Sequence, residues 1–167
     1  MQKYYRIKKN KKMKHCKLLV LVSALVALSA GGFAQDEHAK LKIAHISILV
    51  NDYDEALKYY TEVLGFEKKA DAKFGKERWV TVAPAGQKEI ELVFVQATDK
   101  DKEQVGRQAG SRTFIVLNTN DCKNTFAMYK ERGIKVLKEP TEVAWGVQAQ
   151  FYDIYGNRFA LLQVKGQ

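Results

Sequence analysis

Cysteine, histidine and serine are scarce in this chain, and each shortage excludes a class of function. Two cysteines, Cys16 and Cys122, give neither the paired spacing of a zinc site nor a disulfide framework. Of the three histidines, His15 and His38 lie ahead of the folded domain, so a histidine-rich metal centre cannot form within one chain. The sequence has no Gly-x-Ser-x-Gly elbow and no glycine-rich phosphate loop. Serine hydrolases, nucleotide-binding proteins and cysteine-based zinc proteins are therefore disfavoured.

The amino-terminal end carries the excess of positive charge. Eight lysines and arginines and no acidic residue lie in residues 1–17, and an apolar run over residues 18–28 follows and closes in small residues. This is the layout of a secretory signal peptide, and the run is shorter than the ~20 residues that span a bilayer comfortably. Residues 1–34 are therefore predicted to be a signal peptide that is cleaved before Gln35, which gives a periplasmic or secreted protein. An uncleaved membrane anchor is the alternative.

Removal of the signal peptide changes the charge balance. The chain has 28 basic and 19 acidic residues and a net charge of +9, but eight of the basic residues leave with the signal peptide, so the mature net charge is 20 minus 19, or +1. A nearly neutral domain lacks the basic surface that nucleic-acid binding requires. Cys122 alone survives processing, so the mature chain forms no internal disulfide, and a small buried thiol is the favoured interpretation.

The periodicity of the remaining residues indicates that one order of strands and helix occurs twice along the chain. Alternation over Ile43–Val50 predicts a strand, and Asp52 with Glu55 three residues later forms the capping box of a helix that Gly65 ends. Three strands complete the first unit, and the second unit repeats the order of strand, helix and three strands. These later elements are predicted at residues 66–73, 78–83, 89–96, 112–118, 121–132 (the helix), 134–137, 143–152 and 158–164.

The predicted fold class is α+β, with two βαβββ modules that form paired four-stranded mixed sheets around a central cavity. Module one covers residues 41–97, a charged and solvated linker covers 98–110, and module two covers 111–164. A short mature tail, residues 35–40, precedes this single domain, which extends over residues 41–167. A helix on one face of each sheet buries the apolar side chains. The residues of opposite parity must then face the other sheet or a cavity.

Three segments resemble the vicinal oxygen chelate superfamily, which holds glyoxalase I, the bleomycin-resistance proteins and the extradiol dioxygenases. They are the first helix with its ending (Asp54–Phe66), the Arg78–Val82 strand and the closing hairpin (Glu139–Asn157), in which Ile154 replaces the proline that usually follows the aspartate. The resemblance spans residues 41–164 and is specific for the fold. It does not select a reaction, because this fold hosts many.

The resemblance also implies where a metal ion would be held. In metal-using members, a histidine on the first strand and a glutamate on the fourth strand of each module bind the ion together. Here the first pair falls on His45 and Glu91, and the second pair falls on Thr113 and Ala160, which are not useful ligands. Two ligands are fewer than a tight divalent site takes. The favoured interpretation of this half site is a buried, hydrogen-bonded pair, or a ligand-binding role without metal.

Two alternatives keep a metal ion at this place. In one, a divalent Zn, Ni, Mn or Fe ion is held by His45, Glu91 and a third group that the pattern does not identify, and Glu91 serves as ligand or catalytic base. In the other, two chains contribute to one shared site.

Other residues of the inward parity predict a cavity for a small polar and aromatic ligand, because a few polar groups among apolar walls are usual in such sites. The set comprises Ser47, Trp79, Thr81, Thr113, Gln148, Gln150 and Arg158. The alternative is that the tryptophan fills core volume and that the glutamines and the arginine are ordinary solvated positions. The parity over residues 143–152 depends on whether Trp145-Gly146 forms a bulge.

Three functions from different classes follow. The favoured one is an exported protein that binds a small molecule between its sheets without a complete metal centre and without an assigned cofactor. The others are a metal-dependent lyase or dioxygenase and an interaction module whose sheets form a homodimer. Export disfavours glyoxalase I chemistry, because the glutathione adduct that the resemblance implies as substrate is a cytosolic species. The ligand, any reaction, and the pairing of modules within or between chains stay open.

Overall fold

A computed structural model describes residues 41–166 of the chain. The expected signal peptide and mature tail lie outside the described residues, so their prediction stays a prediction. No helix among residues 41–166 is long and apolar enough to cross a membrane.

Module one forms a mixed four-stranded sheet with one helix. Its elements are β1 (His45–Val50), α1 (Tyr53–Lys58), a π-helical turn (Tyr59–Val63), β2 (Phe66–Phe74), β3 (Glu77–Pro84) and β4 (Glu91–Gln96). The strand order is β1-β4-β3-β2, with β1 parallel to β4 and the other pairs antiparallel. The Asp52 carboxylate accepts the N–H groups of residues 54 and 55, which confirms the predicted N-cap. The π-helical turn was not predicted.

Module two repeats this arrangement. Its elements are β5 (Thr113–Asn118), α2 (Cys122–Glu131), β6 (Lys135–Val143), β7 (Gly146–Tyr152) and β8 (Arg158–Val164), and the strand order is β5-β8-β7-β6. The parallel pair, β5 with β8, again joins the first and last strands of the module. The α+β class with two βαβββ modules and two four-stranded mixed sheets is therefore confirmed.

Strand β6 is longer than the sequence pattern indicated. The pattern predicted a strand over residues 134–137, whereas β6 continues through Pro140 to Val143. The strand lies at the edge of its sheet, and its pairing with β7 shifts register between Lys138 and Thr141. An edge strand tolerates proline at such an irregularity, because the missing N–H group need not pair.

Strand β7 begins at Gly146, three residues later than predicted, because Ala144 and Trp145 form the turn after β6. Its register with β8 is unbroken from Gly146 to Tyr152. The Trp145-Gly146 pair therefore does not change which side chains of β7 share a face.

The helix-facing sides of both sheets contribute to one hydrophobic core. Tyr60, in the π-helical turn of module one, packs against Phe94 of its own sheet and Phe159 of the other, with ring centroids 5.2 and 6.2 Å apart. In module two, Phe151 stacks on Phe159 and meets Tyr129 of α2 edge to face. Because this core covers one side of each sheet, the opposite face of each sheet lies outside it. We call these opposite faces the open faces.

A buried hydrogen bond fixes the two modules relative to each other. The Tyr60 hydroxyl donates to Asp153 Oδ2 at 2.8 Å, and Asp153 is only 3% exposed. Burial, and then the Asp153 carboxylate, raise the pKa of Tyr60 well above its usual value, so the hydroxyl keeps its proton. The other carboxylate oxygen, Oδ1, accepts the N–H groups of residues 155, 156 and 157, which closes the turn between β7 and β8.

Two further tyrosines connect α1 and the π-helical turn with the end of β7 and the turn that follows it. The Tyr59 hydroxyl donates to the Tyr152 carbonyl at 3.3 Å, and the Tyr155 hydroxyl lies 3.0 Å from Glu55 Oε2 and 3.1 Å from the Asp52 carbonyl. Burial is the main cause that raises the pKa of both tyrosines, so both hydroxyls remain donors. The contact between modules is therefore polar and directional as well as apolar.

The linker is attached to both modules, although its composition predicted a solvated segment. It contains a 3-10 turn (Lys102–Gln104), and Gly106 is buried against the Tyr155 carbonyl. Gln108 pairs with the outer edge of β1: its Oε1 accepts the Leu49 N–H at 2.8 Å and its Nε2 donates to the Ser47 carbonyl at 3.0 Å. The side-chain amide of Gln108 thus makes the hydrogen bonds that the backbone of a neighbouring strand would make with this edge of β1.

We expect Gly106→Ala to destabilise the domain more than Gly86→Ala. Both glycines have positive φ, +74° and +80°, so both substitutions should cost about 1–2 kcal/mol of backbone strain. A Cβ added at position 106 would also lie 1.9 Å from the Tyr155 carbonyl oxygen. A Cβ added at position 86 would have no atom within 4 Å apart from its chain neighbours. Urea unfolding followed by circular dichroism measures the two free energies. Equal losses would show that the linker is not held in this position.

Candidate functional site

His45, Glu91 and Trp79 form a polar and aromatic group on the open face of module one. Parallel pairing places His45 opposite Glu91, with Nε2 and Oε2 3.9 Å apart. The Trp79 ring stands edge-on to His45, with centroids 5.3 Å apart and planes at 81°. The histidine and glutamate side chains are 42% and 29% exposed, and 3.9 Å is too long for a hydrogen bond. The pair is therefore not the buried, hydrogen-bonded pair that the sequence favoured, and it is accessible to a ligand.

Trp79 does not serve as a core residue, since it is 41% exposed. Thr81 lies two residues after Trp79 on β3, so the two side chains share a face. Thr81 pairs with Val93, which lies two residues after Glu91 on the same face of β4. Thr81 is fully buried, and its hydroxyl has no hydrogen-bond partner among the described residues. A buried hydroxyl left without a partner costs about 1–3 kcal/mol. Ser47 is exposed on the same face, so module one assembles five of the predicted site residues.

Module two has no metal ligand at the corresponding places. Thr113 pairs with Arg158 beside a register shift, and Ala160 pairs with Val116. Phe114 precedes the N-cap of α2 by seven residues, as His45 precedes the N-cap of α1, and its ring packs against Phe159 in the core. Within residues 41–166, no three His, Cys, Asp or Glu side chains lie close enough together to hold a metal ion. The donor set in one chain falls short of a tight divalent site.

The open face of module two is polar and cationic. Gln148 and Gln150 are half-buried on β7. The Arg158 guanidinium lies over the Tyr152 ring at 5.8 Å, and Lys135 lies over the same ring at 5.3 Å. Sequence reasoning missed Tyr152, although it shares the parity of the two glutamines. It also missed Lys135, because no face was assigned to the strand predicted over residues 134–137.

The structure brings each predicted group together on its own sheet but does not bring the two groups together within one chain. The residues of module one lie on one open face, and Gln148, Gln150, Ala160 and Arg158 lie on the other. The shared core separates these faces. Each sheet of the chain therefore carries its own group of predicted site residues.

Comparison with known proteins agrees with this arrangement of elements. The sequence profile of the Glyoxalase/Bleomycin resistance protein/Dioxygenase superfamily matches residues 42–161. The chain belongs to this superfamily. An uncharacterized protein of Shewanella frigidimarina is 38% identical over 128 residues, which are 75% of this chain and 95% of the relative.

Two solved structures of this fold are also similar to the chain. The crystal structure of UcmS2 is 29% identical, with a TM-score of 0.67, and the match covers 74% of this chain and 98% of that one. TnmS3, an antibiotic binding protein from Streptomyces sp. CB03234, is 32% identical, with a TM-score of 0.64 and coverage of 76% and 98%. The resemblance proposed from sequence is confirmed for family and fold, and one of these similar structures is that of an antibiotic binding protein.

We expect the purified domain to hold no stoichiometric metal. After dialysis against Zn, Ni, Mn or Fe(II), elemental analysis should give the same low content for the native protein, His45→Ala and Glu91→Gln, because two donors 3.9 Å apart bind a divalent ion weakly. His45→Gln is the control that keeps a polar side chain. One metal ion per chain that is lost in His45→Ala would establish the metal alternative.

Proposed function

We propose that this protein binds a small organic molecule on its open sheet faces without a resident metal ion. The observation that carries the proposal is Trp79, which is 41% exposed, edge-on to His45 and on the same sheet face as Glu91. A large exposed aromatic ring beside a few polar groups is favourable for ligand binding, because covering it releases water from apolar surface. The antibiotic-binding TnmS3, at 32% identity, supports the same class of function.

We propose further that a second copy of the chain completes the cleft. Because each open face lies on the side of its sheet away from the shared core, module one of one copy would face module two of its partner, and two-fold symmetry would create two equal clefts. Val95 and Val116, which are 38% and 52% exposed on these faces, would then be covered. Glu91 on one face and Arg158 on the other give the two surfaces opposite charge, which favours this pairing.

The chemistry of the two faces favours a planar ligand with polar substituents. Trp79 offers an apolar ring, and His45 and Glu91 offer a proton donor or acceptor beside it. The side-chain amides of Gln148 and Gln150 supply both donors and acceptors from the opposite wall. Residues 1–34, as a signal peptide, would bring this site to the ligand outside the cytoplasm.

The two tryptophans of the chain allow a direct test. Trp145, 57% exposed in the turn before β7, is the matched control for Trp79. In Trp145→Phe the remaining emission comes from Trp79, and titration with a panel of planar aromatic antibiotics should quench it. Trp79→Ala should weaken binding of the same compound about tenfold or more, since aromatic anchors dominate such sites. Equal affinity of Trp79→Ala and Trp145→Ala, or no binding by any compound, would refute the proposal.

A mixing experiment tests the two-chain cleft. Trp79→Ala damages the wall from module one, and Gln150→Leu damages the wall from module two, so each homodimer has two impaired clefts. After subunit exchange, half of the dimers are mixed and carry one intact cleft of two, so about one quarter of the native binding capacity should return. Analytical ultracentrifugation at the same concentration should show a dimer. A monomer, or exchange without recovery, would contradict a shared cleft.

A further inference from the structure

A separate cavity lies where the linker meets the turn between β7 and β8. Its volume is about 400 Å³, and it is lined by Gly106, Arg107, Gly110, Ser111, Tyr152, Gly156 and Arg158. The only charged residues of this set are the two arginines. Three of the lining residues are glycines, so few side chains occupy the space. The cavity therefore combines positive charge with room for a small group.

The positive charge of this cavity has no carboxylate counter-charge among the described residues. Neither Arg107 nor Arg158 takes part in an ion pair within residues 41–166, in contrast to Arg78, whose guanidinium contacts Asp54 and Asp71 at 2.9 Å. Asp153 lies in the adjacent turn, but its oxygens already accept the Tyr60 hydroxyl, a side-chain amide and three backbone N–H groups. An anion in this cavity would therefore meet two guanidinium groups that no ion pair within residues 41–166 neutralises.

Arg158 is held in place before any ligand arrives. Its Nη1 donates to the Ser111 carbonyl, and its plane lies over the Tyr152 ring at 5.8 Å. A guanidinium has five N–H donors, so donors on Nε and Nη2 remain for a ligand. A group that is already ordered loses little conformational entropy on binding, which increases its contribution to affinity. Arg107, on the exposed linker, supplies a second guanidinium at the rim.

We infer that this cavity binds an oxyanion, either a carboxylate or a phosphate group, through Arg158 and Arg107. The fork of a guanidinium matches the paired oxygens of both groups. Tyr152 and Arg158 also belong to the open face of module two, so the anion would be one end of the molecule that the cleft binds, and Tyr152 would pack against its organic part. This last step rests on the proposed function, whereas binding of a small oxyanion does not.

Isothermal titration with inorganic phosphate and, separately, with benzoate tests the inference, with chloride at matched ionic strength as the blank. The variants are Arg158→Gln and Arg107→Gln. The control is Arg132→Gln, which removes the same charge at the end of α2, outside the lining set. We expect native affinity in Arg132→Gln, a loss of about tenfold or more in Arg158→Gln, and a smaller loss in Arg107→Gln. The tighter of the two probes identifies the carboxylate or phosphate preference.

Two outcomes would overturn the inference: no binding of either probe beyond the chloride blank, or equal affinity in Arg158→Gln, Arg107→Gln and Arg132→Gln. Arg107 is exposed, so its variant tests the site even where Arg158→Gln fails to fold. Inorganic phosphate has no organic part that could contact Trp79, so its binding at the two arginines does not depend on the cleft proposal. A failure of the cleft proposal therefore leaves the oxyanion result unchanged, and the two failures are distinguishable.

Discussion

The hydrogen bond from Tyr60 to Asp153 is the constraint on which the arrangement of the chain depends. A carboxylate that is 3% exposed is costly to bury unless its oxygens are satisfied, and here five donors satisfy them. Four of the donors come from the turn itself, but the fifth comes from the other module. The Tyr60 hydroxyl reaches Asp153 because α1 and its π-helical turn lie on the helix-facing side of module two. The same placement brings Tyr60 onto Phe159 and produces one core, so the polar contact selects the geometry and the apolar contact stabilises it.

This geometry determines how a binding site can be built. A metal centre like that of the metal-using members requires ligands from both modules, but in this chain the second module offers Thr113 and Ala160, which are not useful ligands. Ala160 is small and its strand neighbour Val116 is apolar. This part of the face therefore offers apolar surface, and not metal ligands, beside the half-buried glutamines. Module one keeps an accessible histidine and glutamate with a tryptophan ring beside them. A shared cleft of this composition is better suited to hold a planar organic molecule than an ion, which is why the proposed function is binding.

Features that depend on neighbouring residues were predictable from the sequence, and features that depend on distant ones were not. The cap at Asp52, and the strand β8 to the residue, follow from side chains within one turn or one alternation. Strand β6 was underestimated because the tolerance of Pro140 depends on its place at a sheet edge. The parity of His45 and Trp79 was readable, but the direction of the open faces depends on a contact between residues 93 positions apart. Arg107 gave no signal, because only the folded linker brings it beside β8.

Charge also orients the ligand in the proposed cleft. Lys135 and Arg158 both lie against the ring of Tyr152, whose negative faces offset part of the repulsion between them. The remainder is uncompensated within the described part of the chain, and an anionic group of a ligand would offset it. Glu91 on the opposite wall would repel the same group, since like charges in a partly desolvated cleft are unfavourable. A ligand with one anionic end therefore has a single favourable direction, with its oxyanion toward module two and its neutral ring toward Trp79. In this arrangement the positive charge that a metal ion supplies in metal-using members would come from Lys135 and Arg158.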